Sequence, residues 1–493
     1  MLLVHPVTEV VKLAPALLAA LVLGTQSDNE IWTLVALAAV LAYALTRWFT
    51  TTYRVGPVHV QLRSGLFQRK VLSVPRNRIR SVDVEARVLH RVLGLAVLRV
   101  GTGQHAKDGE GFKLDGLDAK QVPALRAALL AGVTTAARRT DTAARREDTT
   151  DAVPAASPAP PAQTEIGHWS PSWVRYAPFS LTGLAVVAPV VGLLAQYGAV
   201  QWVADSGVVS GGVRSASRLG IPIAIAIGVL ALLAVASAAA CVRYLLRWGR
   251  LRVVDAGATL HQTSGLLTTR EVTLDVARLR GATVQESLLL RSVGGAELEA
   301  IMTGRLRRQK VLPQAPRREV ERVMTYLLGS AAQFTAPLRR HGRAAARRRF
   351  TRALGPVLLA LVAVAIAAAT VHVQWGWWLI APVLLVAAAA LAWDRYCNLG
   401  HAVLAPTEPG GARWLITRAG SLSRDRDCIQ SAGIVGWTVR RSFFQRRAGV
   451  ATVCAATAAG KGHYEVVDLP ARDAWSLIDS VTPGAGDVWA RYS

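Results

Sequence analysis

The side chains that most often perform catalysis are spread through this sequence without a recognisable arrangement. No HExxH pattern places two histidines on one helix face, and the cysteines lie too far apart for a CxxC pair: Cys241, Cys397, Cys428 and Cys454. Catalysis needs a nucleophile beside a base, paired carboxylates or clustered metal ligands. We therefore expect no catalytic residue, no metal and no cofactor, and we predict that the protein is not an enzyme.

Two short sequence patterns resemble binding sites, but each also has a simpler structural interpretation. Residues 101–111, GTGQHAKDGEG, lack the Gly-Lys-Ser/Thr ending of a phosphate-binding loop, so we interpret them as a loop between strands. Asp425 and Asp427 alternate with Arg424 and Arg426. We interpret this second pattern as an exposed turn of mixed charge rather than a cation site.

The composition indicates a membrane protein with a strong positive charge. The 493 residues include 57 Lys or Arg and 32 Asp or Glu, a net charge of +25. Hydrophobic residues make up 52% of the chain and charged residues only 18%. An ordinary soluble protein has a larger charged fraction, so this composition favours the membrane class.

Uncharged segments long enough to cross a bilayer occur in pairs. Residues 176–204, 219–242 and 353–393 contain no Asp, Glu, Lys or Arg. About 20 apolar residues span the hydrocarbon core, so the third segment can form two helices that reverse at residues 372–376. Apolar residues on both sides of a polar stretch at 24–30 predict a weaker first pair. The alternative of an N-terminal signal peptide lacks a clear cleavage site.

Most of the positive charge lies at the outer ends of these pairs, whereas their short loops carry Asp28 and Glu30 in the first pair, Asp205 with Arg214 and Arg218 in the second, and no charge in the third. Basic residues flank the pairs at Lys12, Arg47, Arg54, Arg175, Arg243, Arg247 and Arg395. Seven more arginines lie between residues 339 and 352 without an acid among them. By the positive-inside rule, these ends are cytoplasmic. We therefore expect a multi-pass protein of the cell membrane with six transmembrane helices in three hairpins and both termini in the cytoplasm.

The three long segments outside the predicted hairpins repeat one another. Without a gap, the second glycine of each repeat follows the first by 29 residues in the pairs Gly65 and Gly94, Gly265 and Gly294, and Gly420 and Gly449. Arg91, Arg291 and Arg446 also align. A shared spacing of this kind indicates duplication of one unit. We expect these six glycines to occupy equivalent turns.

Each repeat has the pattern of a β-rich domain closed by a helix. Around Ser64 and Gly65, apolar and polar residues alternate as in two strands joined by a tight turn. Near the end of each repeat, apolar residues recur every three or four positions, which predicts a helix. The predicted organisation is hairpin 1 (1–53), domain 1 (54–133), a disordered linker (134–175), hairpin 2 (176–246), domain 2 (247–330), a basic juxtamembrane segment (331–352), hairpin 3 (353–394) and domain 3 (395–493).

One known family shares these features. Two predicted transmembrane segments followed by SGLFQRK, the basic segment RNRIRSV and HRVLGLAVLRVGT resemble the bacterial pleckstrin-homology family. Three such modules in one chain are similar to its YdbT-like membrane proteins. The resemblance implies a pleckstrin-like sandwich capped by a C-terminal helix, but it does not supply a biochemical activity. The second and third repeats depart from the family pattern where the first has Pro75 and Ser81.

The arginines suggest an anionic partner. We expect the run before the third hairpin to specify topology and also to attract anionic lipid headgroups. The expected headgroup contacts are Arg339, Arg340, Arg343, Arg347, Arg348 and Arg349, with Arg76, Arg78 and Arg80 in the first repeat. Nucleic acid attracts the same charge, but no helix-turn-helix, zinc finger or RNP pattern accompanies it, so we do not expect it as a partner.

The sequence thus predicts a non-enzymatic membrane protein whose three cytoplasmic modules form a scaffold or a binding platform for lipids or proteins. A small membrane protein with a similar module is a further expected partner. The alternative is a component of a transport or export system that the modules gate. Few polar residues occur in the predicted spans to line a transport path, which favours the scaffold.

Overall fold

The structure is a computed structural model of the full chain. It describes residues 52–56, 59–64, 70–75, 81–86, 90–91, 93–101, 112–125, 163–179, 221–304, 309–370, 380–406 and 411–485. The chain forms two compact units, of which unit 1 contains residues 1–168 and 246–277, and unit 2 contains residues 169–245 and 278–493.

Unit 1 is built from two antiparallel sheets. The smaller sheet has the strand order β1-β2-β3, with β1 (Thr52–Val55), β2 (His59–Ser64) and β3 (Lys70–Pro75). The larger has the order β6-β5-β4-β10-β9-β8-β7. Its strands are β4 (Ser81–Ala86), β5 (Leu95–Gly101), β6 (Phe112–Asp118), β7 (Thr164–His168), β8 (Arg252–Asp255), β9 (Thr259–Ser264) and β10 (Thr269–Asp275).

The first repeat forms a sandwich inside unit 1. Val60 of β2 and Val74 of β3 pack with Val82, Leu98 and Leu114 of β4, β5 and β6 in one buried cluster. Alternation along each strand sends these side chains to one face, where their burial stabilises the pair of sheets.

Unit 2 also contains two antiparallel sheets. The larger has the order β13-β12-β11-β16-β15-β14 and the smaller the order β17-β18-β19. The strands are β11 (Leu279–Ser287), β12 (Gly295–Met302), β13 (Gln309–Pro316), β14 (Gly400–Leu404), β15 (Trp414–Gly420), β16 (Ser423–Gln430), β17 (Ile434–Arg440), β18 (Val450–Thr457) and β19 (His463–Pro470).

The helices lie before, within and between the second and third repeats, and the last one completes the third repeat. The described α-helices are α1 (Ile221–Trp248), α2 (Leu288–Ser292), α3 (Arg317–Leu328), α4 (Ala332–Thr335), α5 (Gly342–Thr370), α6 (Ile380–Cys397), α7 (Phe443–Arg447) and α8 (Ala474–Val481). Leu477 and Ile478 of α8 pack against Leu415, Val453 and Val466 in one buried cluster. The sheets of the third repeat therefore form a sandwich that its last helix caps, as the sequence predicted for this repeat.

Each large sheet joins two neighbouring repeats. In unit 1, β4 of the first repeat pairs with β10 of the second, and in unit 2, β11 of the second repeat pairs with β16 of the third. The boundary between the compact units falls after residue 277, inside the second repeat. Sequence repeats and compact units therefore divide the chain at different places.

The repeat glycines adopt two shared conformations. Gly265 and Gly420 have φ values of 106° and 107°, whereas Gly94, Gly294 and Gly449 have values of 66°, 76° and 66°. Gly65 lies outside the described residues. A Cβ on Gly420 would lie 1.9 Å from the carbonyl oxygen of Ser423, so only glycine fits this turn. These matching turns support the internal repeat inferred from the sequence.

The end of the predicted disordered linker is folded. Residues Thr164–His168 form β7, which pairs with β8, and a 3₁₀ helix follows at Pro171–Phe179. Ile166, Trp173 and Tyr176 are buried and supply the apolar surface that the rest of the segment lacks. Residues 134–162 lie outside the described part of the chain.

Two described helices are long and apolar enough to cross a membrane, at Gly342–Ile366 within α5 and at Ile380–Cys397, which is α6. They overlap the predicted third hairpin, but α5 begins at Gly342, inside the predicted juxtamembrane segment, and the predicted reversal at 372–376 lies outside the described residues. The 28-residue α1 covers most of the second half of predicted hairpin 2. Predicted hairpin 1 and the first half of hairpin 2 lie almost entirely outside the described residues.

Candidate functional site

A basic cavity of about 510 Å³ lies in unit 2, beside the C-terminal end of α6. Four arginines and one glutamate line it, so its charged side chains sum to +3: Arg317, Arg340, Arg418, Arg426 and Glu321. Apolar side chains of α4 and of the loop that leads toward α5 complete the wall. Such a cavity favours an anionic group with an apolar neighbour.

Two of these arginines are placed by the sheet and held by backbone carbonyls. Arg418 on β15 lies directly opposite Arg426 on β16. The Nε and Nη2 atoms of Arg418 donate to the carbonyl oxygens of Asn398 and Cys397 at 3.1 and 3.2 Å. These carbonyls close the C-terminal end of α6, where the helix dipole favours a cation.

Arg426 is fixed in a similar way from the other side. Its Nε donates to the carbonyl of Gln333 at 3.1 Å and its Nη2 to the carbonyl of Ala336 at 3.0 Å. Arg317 lies over the ring of Phe334, with 5.1 Å between the guanidinium carbon and the ring centre. Both contacts hold positive charge in place before any ligand arrives, which lowers the entropy cost of binding.

The cavity is electrostatically unfavourable for its own cations. Burial, together with the positive charges of Arg424 and Arg426, lowers the pKa of Arg418 to about 10. Burial also lowers the pKa of Arg426. At neutral pH the Arg418 side chain therefore stays protonated. An anion in the cavity would offset this repulsion, so the site is suited to a phosphate or carboxylate group.

The arginine run predicted to contact headgroups is divided by the structure. Arg340 lines the cavity, and Arg343 and Arg347 are exposed. Arg339 is exposed and forms an ion pair with Asp473 at 3.3 Å. Arg76, Arg78 and Arg80 lie outside the described residues. Among the predicted residues that the structure describes, Arg340 is the one that lines the cavity.

Arg348 and Arg349 have a partner within the protein. The Nε of Arg348 lies 2.9 Å from Oδ1 of Asp468, and Nη2 of Arg349 lies 3.1 Å from Oδ2. Asp468 is fully buried, and the Nε2 atom of Gln445 also donates to its Oδ1 at 2.9 Å. The run lacks an acid in its own sequence, but the fold supplies this one from β19.

Sequence reasoning missed Arg317, Arg418 and Arg426, which are separated by up to about 110 positions along the chain. It also interpreted Arg424–Asp427 as an exposed turn. These residues instead lie in the central strand β16, where Arg426 and Asp427 are buried and Arg424 forms an ion pair with Glu286. The sequence signal for this strand was that Arg424 and Arg426 alternate with acids in a segment that runs directly into the apolar pair Cys428 and Ile429.

Within the described ranges, no group of three or more His, Cys, Asp or Glu side chains is placed to hold a metal ion.

Comparison with known families identifies the repeated unit. The profile of the bacterial PH domain matches residues 10–133, 180–331 and 352–482, which is most of the chain. The chain belongs to the bacterial PH domain family. Each bacterial PH match begins within or next to a predicted hairpin and includes the β-rich repeat that follows it. Neither the curated proteins nor the solved structures that were compared give a match.

Proposed function

We propose that this protein is a non-enzymatic membrane protein of the YdbT-like kind, whose bacterial PH modules form a platform at the cytoplasmic surface. We further propose that the cavity in unit 2 binds the phosphate-bearing headgroup of an anionic lipid. The observation that carries this proposal is the cluster of Arg340, Arg418 and Arg426 at the ends of the two apolar helices.

The position of the cavity along α6 supports a headgroup in preference to a soluble anion. Cys397 lines the cavity, and the apolar part of α6 ends at Trp393, four residues earlier. Four helical residues correspond to about 6 Å along the axis. A lipid whose tail lies beside α6 can therefore extend its phosphate to this depth, and basic residues near the surface attract it by about 1 kcal/mol each.

We also propose six transmembrane helices in three hairpins, with α5 and α6 as the third. The positive-inside rule then places both termini and all modules in the cytoplasm. In intact cells, a thiol reagent that does not cross the membrane should label Ser210→Cys and spare Ala156→Cys, each in a chain without other accessible cysteines. Labelling of Ala156→Cys with protection of Ser210→Cys would show the reverse orientation.

The headgroup proposal predicts that Arg340→Gln weakens binding of an anionic lipid by about fivefold, because one cation of the cavity is lost. Binding of phosphatidylglycerol to the full chain in mild detergent can be measured by native mass spectrometry, with phosphatidylcholine as the neutral lipid. Arg343→Gln is the matched control, since it removes the same charge from the same run outside the cavity lining. We expect it to change the affinity less than twofold.

Equal losses for the two variants would contradict a site in this cavity and leave only a diffuse surface charge. A competition arm separates the two possible sources of phosphate. If inorganic phosphate at equal concentration displaces the lipid fully, the cavity is a site for a soluble anion, and the headgroup proposal is wrong.

A further inference from the structure

The sheets that join neighbouring repeats use the same two strands each time. We call such a joint a junction: the first strand in the second half of one repeat pairs with the third strand in the first half of the next. The junctions are β4 with β10 and β11 with β16. By repeat position, β17 is equivalent to β4 and β11, and β3 is equivalent to β10 and β16.

The two junctions also have the same register. In the first, Glu85 lies opposite Arg270, and in the second, Gln285 lies opposite Asp425. In each pair, the first residue lies 20 positions after the first glycine of its own repeat. The second residue lies five positions after the first glycine of the next repeat. An identical register at two places shows that pairing is a property of the repeated strands themselves.

One strand of each kind is left at the edge of a sheet. Among the described strands, β3 pairs only with β2, and β17 pairs only with β18. Val71 and Leu72 of β3 are 59% and 38% exposed, and Val435 of β17 is 79% exposed. An edge strand with exposed apolar residues is a template for another strand.

Charge decides which partner fits these edges. At one position of each internal junction an acid faces a base: Glu85 lies opposite Arg270, and Glu286 forms an ion pair with Arg424. In the same register, β17 and β3 would place Arg440 opposite Lys70. Arg440 is 72% exposed beside its partner Glu465. Like charges directly opposite one another oppose pairing, so two copies of this chain do not fit.

We propose that the edges of β3 and β17 dock a different chain with a bacterial PH domain, in the register of the internal junctions. This partner carries an acid opposite Lys70, where β17 of this chain has Arg440, and a residue other than a base opposite Arg440. A valine of the partner at the position of Val84 and Val284 would cover Val71. The inference does not depend on the headgroup site.

A charge-reversed version of the chain serves as the partner in the test. The double variant Lys70→Glu with Arg440→Glu repels itself at both edges, yet each of its edges is complementary to the wild-type chain. We expect wild type and variant to remain monomeric alone in mild detergent and to associate when mixed, about tenfold more tightly than either with itself. Sedimentation of differently labelled full-length chains measures this.

The matched control is Lys120→Glu with Arg472→Glu, two exposed residues outside β3 and β17 that give the same net charge. Association of this control with wild type to the same extent, or no association in the first mixture, would overturn the proposal. Wild type that associates with itself as tightly as with the charge-reversed variant would overturn it as well.

A cross-link tests the register directly. Val71→Cys in wild type and Val439→Cys in the charge-reversed variant are opposite in the proposed register, so a short thiol cross-linker should join them. Val435→Cys lies four residues further along β17, about 13 Å away, and should not react with Val71→Cys. Cross-linking at 435 instead of 439 would show that the internal register is not used.

Discussion

Replacing Asp468 by Ala should lower the free energy of unfolding of the third repeat by about 3–5 kcal/mol, the cost of breaking a buried ion pair. Asp468 is fully buried, while the side chains of Arg348 and Arg349 are 10% and 15% exposed. Without the carboxylate, two guanidinium groups stay in a poorly solvated place with no counter-charge. Unfolding of the detergent-purified chain, followed by tryptophan fluorescence in denaturant, measures the loss.

Two further variants separate the loss of charge compensation from a general defect. Asp473→Ala removes a carboxylate that pairs with the 70% exposed Arg339, so we expect a loss below about 1 kcal/mol. Adding Arg348→Met and Arg349→Met to Asp468→Ala removes the uncompensated charges and should restore part of the stability. Equal losses of unfolding free energy for Asp468→Ala and Asp473→Ala would show that the burial of Asp468 does not increase its contribution to stability.

Lowering the pH from 7 to 5 should destabilise the wild-type chain by about 2 kcal/mol more than the His401→Gln variant. His341 and His401 are both buried, with 2.9 Å between Nε2 of the first and Nδ1 of the second. Nδ1 of His341 lies 2.7 Å from the carbonyl oxygen of Val467, which only accepts, so this nitrogen donates. His341 Nε2 then accepts a hydrogen bond from His401.

The direction of the pH effect follows from the pKa shifts. Burial, with the charges of His341 and Arg339, lowers the pKa of His401 to about 4, and burial also lowers the pKa of His341. The unfolded chain therefore binds more protons than the folded chain between about pH 6.5 and 4. The stability that depends on the two histidines being uncharged is complete above about pH 6.5, and it is lost as the pH falls from there toward 4.

Unfolding curves at pH 7 and pH 5 for both chains measure the difference, and the carboxylates that titrate in this range contribute equally to each. The charged groups that act on this pair, Arg339, Arg349 and Asp468, are unchanged in the variant. An equal loss for wild type and His401→Gln would show that this histidine is protonated as readily in the folded chain as in the unfolded one.

The local features of the fold could be predicted from the sequence because they depend on neighbouring residues. Alternation along residues 58–75 indicates strands, and β2 and β3 follow them. The glycine spacing indicates a repeat, since only a glycine fits a turn such as that at Gly420. Apolar residues at helical spacing likewise predict α8. A run of uncharged residues predicts the apolar helices α5 and α6 from their length alone.

The candidate site could not be predicted in this way because its residues are close to one another only in the folded protein. Arg317, Arg418 and Arg426 come from a helix and two strands that are distant in sequence. Arg340 and Arg348 belong to one basic run, yet the first lines a cavity and the second faces the buried Asp468. The sequence shows which residues are basic. The role of each one depends on how buried it is and on the partners that other elements of the fold bring to it.

The sequence by itself determined the repeated unit, the faces of its strands and the excess of positive charge. Only the tertiary structure decided that β4 pairs with β10 and β11 with β16, so that each large sheet joins two repeats. The physical reason is that alternation specifies which side of a strand is buried, whereas the choice of neighbour depends on hydrogen bonds and opposed charges between distant segments. Among the described strands, the same pairing rule leaves β3 and β17 at the edges of their sheets.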